Sequence, residues 1–331
     1  MPQPLAFRCD GDALVGAGHV ARCIPLAAAF AAAGWSPVFV GEYGGLADWL
    51  LARSGLPRTA PQAGPCGLGD GWAAAVVDSY ALTHDELCAA AARRPQATIG
   101  EARRCAGRGV VLDYHVDAPV GEVARLPADR VVAGPGYAPL DPRLAAARRP
   151  RPAVERVLVT VGGSDHARRV VPQIVDLVRD AFPGAAIVVP AGADVGPDVE
   201  ILPAPTALVD VLADVDVAVS AAGVTAYELA CAGVPALVVA LVDNQQRVAR
   251  ACDAAGIAIG LDGLASDLAA GLRAGVQRLA DPGVRSALAE AGPRVFDGHG
   301  AARAAREIER RWVRSGLAQR PDGPLRSPIN G

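Results

Sequence analysis

The segment from Val215 to Gln246 combines a strand, a turn of small residues and a helix, a combination that can bind an anion. An apolar run, Val215–Val219, leads into the small residues 220–223 and then into a helix-like segment, Val224–Cys231. The first N–H groups of a helix lack intrahelical partners, and the helix dipole adds partial positive charge there. Small residues let a diphosphate approach the backbone closely, and Glu228, one turn into the helix, is placed to accept hydrogen bonds from a ribose diol. An ordinary strand–helix–strand core unit has equally small turns, so both interpretations stay open at this point.

Composition limits the classes of partner. The chain has 331 residues, of which 51% are hydrophobic and 20% charged, and its formal net charge is −3 without a basic block, so we expect no nucleic-acid partner. The start has no charged leader before an apolar run, and the apolar stretches are interrupted before about 18 residues, so we expect a cytoplasmic protein without a membrane span. The seven cysteines show no C-x-x-C spacing and the five histidines do not cluster, which disfavours a structural metal site.

Strands alternate with helices along most of the chain, which predicts parallel β-α-β units and an α/β, doubly wound fold. Thr83 with Glu86 three residues on predicts a capping box at one of the helix starts. The pattern is interrupted by a proline- and arginine-rich stretch and then restarts, so we expect two Rossmann-like halves facing each other across a cleft. The expected organisation is an N-terminal domain over 1–140, a linker over 141–152, a C-terminal domain over 153–300, a C-terminal helix over 301–315 and a disordered tail over 316–331.

Five segments in this order resemble one family. They are Phe7–Asp10 with Gly16–Cys23, Val77–Tyr80, Gly134–Leu140, Gly162–Asp165 and Ser220–Gln245. The family is that of the nucleotide-sugar hydrolases of pseudaminic acid biosynthesis and the related spore-coat-polysaccharide proteins, within the GT-B group that includes the lipid II N-acetylglucosaminyltransferase. The resemblance implies a GT-B fold, with a UDP-sugar bound mainly to the C-terminal half and the reaction centre in the cleft.

In the N-terminal half, the resemblance implies that His19 activates water for attack at the anomeric carbon. A histidine just after a glycine-rich loop at the end of a first strand suits general-base chemistry, although a lone histidine at a helix start can also simply cap or pack. Asp10 and Tyr80 are the further catalytic candidates, with an interior ion pair and a core aromatic as the alternative interpretations. The same motifs place the following residues at the substrate: Arg8, Gly16, Gly18 and Arg22.

In the C-terminal half, the resemblance places two turns and one helix start around the donor. Glu228 matches the ribose-binding acid of the GT-B group. No D-x-D metal clamp lies in a suitable place, so we expect phosphate charge to be met by helix N-termini, with no metal and no cofactor. The residues implied at the diphosphate and sugar are Gly163, Ser164, Ser220, Ala222, Gly223, Val224, Thr225, Asp243, Asn244 and Gln245.

One segment departs from the family pattern. The family generally has two adjacent acids after the strand that here ends at Leu112, whereas this chain has Asp113 followed by a tyrosine and His115. The departure falls where the sugar is expected to bind. His115 and Asp117 are either replacement contacts or residues of a surface loop.

Two reactions share the predicted donor site. The first is hydrolysis of a nucleotide sugar, in which His19 deprotonates water and the sugar is released with inversion. The second is an inverting glycosyltransferase, in which His19 activates an acceptor hydroxyl. A non-catalytic nucleotide-sugar sensor is a further class, and a Rossmann dehydrogenase is disfavoured because Asp12–Gly18 lacks the G-x-G-x-x-G spacing.

Overall fold

The computed structural model describes residues 2–12, 15–100, 109–162, 168–192, 195–265 and 267–314. Its contacts divide the chain into two units. The N-terminal unit contains the residues up to Pro139 together with those from Gly300 onward, and the C-terminal unit is Leu140–His299. Each unit is built around one parallel sheet.

The N-terminal unit has a seven-stranded sheet whose strands all pair in parallel, in the order β3-β2-β1-β4-β5-β6-β7. The central strands are apolar along almost their whole length because helices and loops bury both faces of the sheet. The strands are β1 Gln3–Cys9, β2 Trp35–Val40, β3 Arg58–Thr59, β4 Ala74–Asp78, β5 Gln96–Ile99, β6 Gly109–Asp113 and β7 Val131–Ala133.

Three helices connect the first strands of this sheet: α1 Gly18–Ala32, α2 Gly45–Ser54 and α3 His84–Arg93. The capping box predicted for α3 is confirmed. The Thr83 hydroxyl accepts from the Glu86 N–H, and the Glu86 carboxylate accepts from the Thr83 N–H.

The C-terminal unit has a six-stranded parallel sheet in the order β10-β9-β8-β11-β12-β13. Its core is a cluster of valine, leucine and isoleucine side chains from the strands and the covering helices. The strands are β8 Arg156–Thr160, β9 Ala186–Pro190, β10 Glu200–Leu202, β11 Val217–Ala221, β12 Ala236–Ala240 and β13 Ile259–Asp262. The helices are α4 Val171–Ala181, α5 Val224–Cys231, α6 Asp243–Ala254, α7 Leu268–Ala280 and α8 Pro282–Val295.

The last described helix, α9 (Gly300–Arg314), belongs to the N-terminal unit. Trp312 is fully buried there, with its ring 5.7 Å from Phe30 and 5.8 Å from Trp35 between centroids. The Trp35 indole N–H donates to Glu309 at 3.1 Å. The end of the described chain is thus part of the N-terminal core. None of the described helices is long and apolar enough to cross a bilayer.

The segment predicted as a linker, 141–152, lies within the C-terminal unit instead. Most of its first half is a 3-10 turn, and its arginines reach the start of β11. Arg149 donates to the buried Asp216 at 2.6 Å, and Arg151 donates to the carbonyls of Leu212, Val215 and Gly233. The proline and arginine content predicted a linker between domains. The partners of these arginines are about sixty to eighty residues away in sequence, so the local pattern does not show that the segment packs against the C-terminal unit.

Close packing between α5 and α8 gives a first prediction. A Cβ on Gly292 would lie 2.4 Å from the Ala230 carbonyl oxygen, a backbone atom that cannot move aside cheaply. We expect Gly292→Ala to lower the free energy of unfolding of the C-terminal unit by about 1–3 kcal/mol. Thermal unfolding followed by circular dichroism measures this. Gly196→Ala is the control, because a Cβ there meets nothing within 4 Å, and equal effects of the two substitutions would contradict the packing argument.

Candidate active site

In the N-terminal unit, the chain changes direction across the sheet between β1 and β4. Strands β2 and β3 continue on one side of β1, while β5, β6 and β7 continue on the far side of β4. The loops that leave such a pair of neighbouring strands diverge to opposite faces and leave a crevice at the carboxyl ends, where ligands of doubly wound sheets bind. The loop after β1 leads to His19, and β4 ends at Asp78, so both residues lie at this crevice.

His19 and Asp78 form a hydrogen-bonded pair. His19 Nδ1 lies 2.7 Å from Asp78 Oδ1, and the two residues are 4% and 2% exposed. The same Nδ1 also lies 2.9 Å from Arg22 Nη2, a nitrogen that can only donate. In the tautomer in which Nδ1–H donates to the Asp78 carboxylate, the lone pair is on Nε2, and this is the form that a general base at Nε2 requires. The arrangement resembles the histidine–carboxylate pairs in which the carboxylate fixes the tautomer and orientation of a general base.

Arg22 keeps Asp78 ionised. It lies three residues after His19 in α1, hence on the same helix face, and donates through Nε to Asp78 Oδ2 at 2.6 Å and through Nη2 to Oδ1 at 2.7 Å. Burial alone would raise the pKa of Asp78, but the Arg22 guanidinium and the hydrogen bond from His19 outweigh it and lower the pKa to about 2. The carboxylate is therefore an anion throughout the neutral range.

Tyr80 partly covers His19. Its ring meets the imidazole edge to face, at a centroid distance of 4.8 Å, while Tyr80 itself is 65% exposed. The predicted candidates His19, Tyr80 and Arg22 are thus brought together. Gly16, in the connection between β1 and α1, and Gly18, the first residue of α1, are both exposed, and Gly16 has a φ of +78° that favours glycine.

Arg8 and Asp10, the other two candidates in this half, bond mainly to each other and to the backbone. Arg8 Nη1 donates to Asp10 Oδ1 at 2.6 Å, and its Nε donates to the Cys66 carbonyl at 2.9 Å. Asp10 also accepts from the Glu42 N–H. This is the ion pair that the sequence left as the alternative, and contact of either side chain with a substrate stays a prediction.

The C-terminal unit has its own crossover between β8 and β11. Strands β9 and β10 extend to one side, and β12 and β13 to the other. The predicted phosphate turns follow these two strands, so the connections after β8 and β11 start at neighbouring carboxyl ends. Gly163 and Ser164 lie outside the described residues. Gly162, just before them, has a φ of +90°.

The turn before α5 contributes backbone rather than side chains. Ser220 is fully buried and its hydroxyl donates to the Ala221 carbonyl, while the Ala222 N–H is used by the Val239 carbonyl of β12. Gly223 is the N-cap and its own N–H bonds back to Ala221. The side chains of Ser220 and Ala222 thus keep the turn small, and contact of either residue with a phosphate stays a prediction.

The first turn of α5 fits an anion site. No side chain caps the helix, so the N–H groups of Val224 and Thr225 occupy the positions where a helix has no carbonyl of its own to bond. Both residues are half-buried. Backbone N–H groups at such a position, together with the helix dipole, suit a phosphate.

Helix α6 starts at the carboxyl end of the neighbouring strand β12, and it too has no side-chain cap. Asp243 and Asn244 are exposed in its first turn. Gln245 turns back, because its Oε1 accepts from the Leu241 N–H at 2.8 Å. This bond holds the strand end against the helix, so Asp243 and Asn244 are better placed than Gln245 to meet a ligand.

Glu228 is half-buried on α5, three residues after Thr225. Burial raises its pKa, the negative charge of Asp141 raises it further and a hydrogen bond from Thr225 opposes the shift, so that the pKa reaches about 7. Because the group lies close to its midpoint at neutral pH, a partner that donates hydrogen bonds would favour the ionised form. Two vicinal hydroxyl groups are such a partner.

Sequence reasoning missed the role of Asp78. It marked Val77–Tyr80 as a motif but placed only Tyr80 at the site. The sequence signal for Asp78 is an acidic residue at the end of a strand. That signal identifies a partner for His19 only once the strand order shows that β4 pairs with β1. Within the described residues, no three His, Cys, Asp or Glu side chains are grouped to hold a metal ion.

The fold is that of glycosyltransferases of known structure. The glycotransferase of kitacinnamycin superposes over 94% of this chain and 99% of its own at a TM-score of 0.65 and 18% identity. CalG4, the calicheamicin glycosyltransferase, superposes over 95% of this chain and 99% of its own at a TM-score of 0.63 and 17% identity. The spinosyn rhamnosyltransferase SpnG complexed with thymidine diphosphate superposes over 93% of this chain and 100% of its own at a TM-score of 0.59 and 16% identity. No protein-family model and no curated protein matches the sequence. The α/β fold class of GT-B type is confirmed, while the hydrolase family stays a resemblance.

The lowered pKa of Asp78 predicts an acid-dependent loss of stability. Because the folded pKa, about 2, lies below the unfolded value of 3.8, the contribution of Asp78 is present above pH 3.8 and is lost as pH falls through 2. We expect the free energy of unfolding of the wild type to fall by about 2 kcal/mol more than that of Asp78→Asn between pH 5 and pH 2. All four tryptophans lie in the N-terminal unit, so denaturation followed by their fluorescence reports this unit. Parallel pH curves for the two proteins would contradict the assignment.

The raised pKa of Glu228 predicts the opposite slope. Its folded pKa, about 7, exceeds the unfolded value of 4.5, so its contribution is present below pH 4.5 and is lost as pH rises through 7. Between pH 5 and pH 8, wild type should lose about 2.5 kcal/mol relative to Glu228→Gln. If Glu228 also binds a ribose, the same variant should bind UDP or thymidine diphosphate about tenfold more weakly at pH 8 in calorimetry. A variant less stable than wild type at pH 8 would contradict the burial argument.

Proposed function

We propose that this protein is a glycosyltransferase that moves a sugar from a nucleoside-diphosphate donor to a hydroxyl group, with inversion at the anomeric carbon. The observation that carries the proposal is the cluster of His19, Asp78 and Arg22 at the crossover of the N-terminal sheet. The whole-chain likeness to glycosyltransferases supports the same reaction class.

His19 is the general base of the proposed reaction. Its Nε2 takes the proton of the acceptor hydroxyl while that oxygen attacks C1 of the sugar and the bond from C1 to the diphosphate oxygen breaks. The imidazolium that forms is stabilised by the anionic Asp78, which accepts from Nδ1–H. Arg22 is a positioning residue, because it keeps Asp78 ionised and fixed through two hydrogen bonds.

The C-terminal unit is the proposed donor site. The N–H groups at the start of α5, with those of α6 at the next strand end, would bind the diphosphate and stabilise the charge that it gains on leaving. Glu228 would accept from the ribose hydroxyls. We propose UDP or thymidine diphosphate as the nucleotide, since a thymidine diphosphate complex is known for the similar SpnG.

Hydrolysis is the second candidate. The same base would act on water, and the near-complete burial of His19 beneath Tyr80 favours a small nucleophile. Atoms balance in the same way, with water in place of the acceptor and free sugar as the product. The two reactions differ only in the nucleophile that His19 deprotonates, which is an acceptor hydroxyl in transfer and water in hydrolysis.

Replacement of His19 is the direct test of either reaction. His19→Ala should lower kcat by about 100- to 10,000-fold, because it removes the base, and leave the Kd for the nucleoside diphosphate unchanged. The measurement is release of UDP or thymidine diphosphate from a panel of nucleotide sugars, with and without added hydroxyl acceptors. Release that requires an acceptor supports transfer, and release of free sugar without one supports hydrolysis.

His84→Ala is the matched control, because His84 is an exposed histidine in α3 of the same unit. It should retain wild-type kcat. Wild-type activity in the His19 variant, or an equal loss in both variants, would sink the proposed role of His19.

A further inference from the structure

A third residue of α1 reaches the buried Asp78 carboxylate. Cys23 follows Arg22 directly and lies four residues after His19, so the three side chains are on one face of the helix. The Cys23 thiol donates to Asp78 Oδ2 at 3.6 Å, and Cys23 is 1% exposed. The site residues predicted from the sequence include His19 and Arg22 but not this cysteine.

Strand pairing brings a second thiol to the same side of the sheet. Cys9 of β1 is the register partner of Asp78 in β4, and it is fully buried. Side chains of paired residues point to the same face of a sheet, and α1 covers this face. Burial raises the pKa of the Cys23 thiol, and Cys9 and the negative charge of Asp78 raise it further. The thiol therefore keeps its proton at neutral pH and can donate it.

Each oxygen of the Asp78 carboxylate has two donors among the described residues. Oδ1 lies 2.7 Å from both His19 Nδ1 and Arg22 Nη2, and Oδ2 accepts from Arg22 Nε at 2.6 Å and from the thiol. An ionised carboxylate has about four acceptor sites, so the thiol completes the set. A donor to the ionised form also lowers the affinity of a carboxylate for a proton. Cys23 therefore reduces the pull of Asp78 on the imidazole proton.

We propose that Cys23 is a positioning residue that tunes His19 as a base by completing the hydrogen bonds of Asp78. No hydrogen bond of the described residues joins the thiol to the imidazole, so its effect passes through the carboxylate. A buried cysteine usually serves as a small apolar side chain, whereas this S–H faces an anion. The inference deepens the proposed function and rests on it.

The first test needs no turnover. The S–H stretch of Cys23 is isolated by infrared spectroscopy as the difference between wild type and Cys23→Ala. A bond to an anion is stronger than a bond to a neutral acceptor, so we expect a lower frequency than for Cys66, whose thiol donates to the Glu86 carbonyl. The same difference taken in an Asp78→Asn background should show a higher frequency. A band that lies at or above that of Cys66, or that Asp78→Asn leaves unmoved, would overturn the proposal.

The second test measures the effect on the base. Without the thiol, Asp78 holds the His19 proton more strongly, so Cys23→Ala should move the acid limb of the kcat pH profile to higher pH. We expect a shift of about half a pH unit, because a thiol is a weak donor and only part of its effect reaches the imidazole. Cys23→Ser keeps a donor and should place the limb at or below the wild-type pH. The Kd for UDP should be the same in all three proteins.

Cys66→Ala is the matched control, because it removes a buried thiol of the same unit that does not bond to Asp78. The other titratable side chains that face the pair, Tyr80 and Tyr114, are the same in every variant. An acid limb that Cys23→Ala leaves in place would show that the thiol only fills space. Equal shifts in Cys23→Ala and Cys23→Ser, or in Cys23→Ala and Cys66→Ala, would also reject the role of the S–H donor.

The inference and the proposed function fail in different ways. If the wild type consumes no nucleotide sugar, the proposed function fails and the role of Cys23 fails with it, while the infrared band still decides whether the thiol donates to Asp78. If nucleotide sugar is consumed and kcat depends on His19 but the acid limb does not depend on Cys23, only the inference about Cys23 fails.

Discussion

A buried carboxylate kept ionised by an arginine is the interaction on which the N-terminal site depends. Removing Asp78 from water penalises its charge, and the two hydrogen bonds from Arg22 more than offset that penalty. An anionic acceptor beside Nδ1 favours the form of His19 in which this nitrogen carries the proton. Without the guanidinium, the same burial would favour a neutral acid, and a neutral acid would not fix the imidazole in the form that a base requires.

The donor site proposed for the C-terminal unit depends on backbone dipoles rather than on charged side chains. Its helix starts at α5 and α6 carry no side-chain caps, and the turn before α5 is built from residues too small to fill the space. Fixed backbone dipoles need no counter-ion of their own, so the N–H groups at these helix starts can donate hydrogen bonds to a diphosphate. Glu228, which lies on α5 itself, has a raised pKa and can therefore lie close to a phosphate site at a smaller electrostatic cost than a fully ionised acid.

Placement at the crossover strands connects these local arrangements to the fold. In both sheets the proposed site residues lie where consecutive connections diverge, after β1 and β4 in one unit and after β8 and β11 in the other. Residues close to these strand ends are held in fixed positions because the strands are buried and hydrogen-bonded to a neighbour on each side. His115, whose Nδ1 lies 2.7 Å from Asp113 Oδ1, is farther along the N-terminal edge, after β6.

The sequence by itself determined what depends on neighbours along the chain. The capping box of Thr83 and Glu86, the strand–turn–helix from β11 to α5 and the alternation that makes both sheets parallel all follow from patterns a few residues long, and all are present. His19 was predicted as a candidate base for the same reason, since glycines and a histidine after a first strand form a local pattern.

Only the tertiary structure decided which distant residues meet. Asp78 lies 59 residues from His19, and nothing local marks it as the partner until β4 is known to pair with β1. The stretch 141–152 was predicted to be a linker because the carbonyl partners of its arginines are 61 to 82 residues away in sequence. Side-chain partners across a sheet are set by strand order and packing, and a single sequence carries that information only through the folded chain.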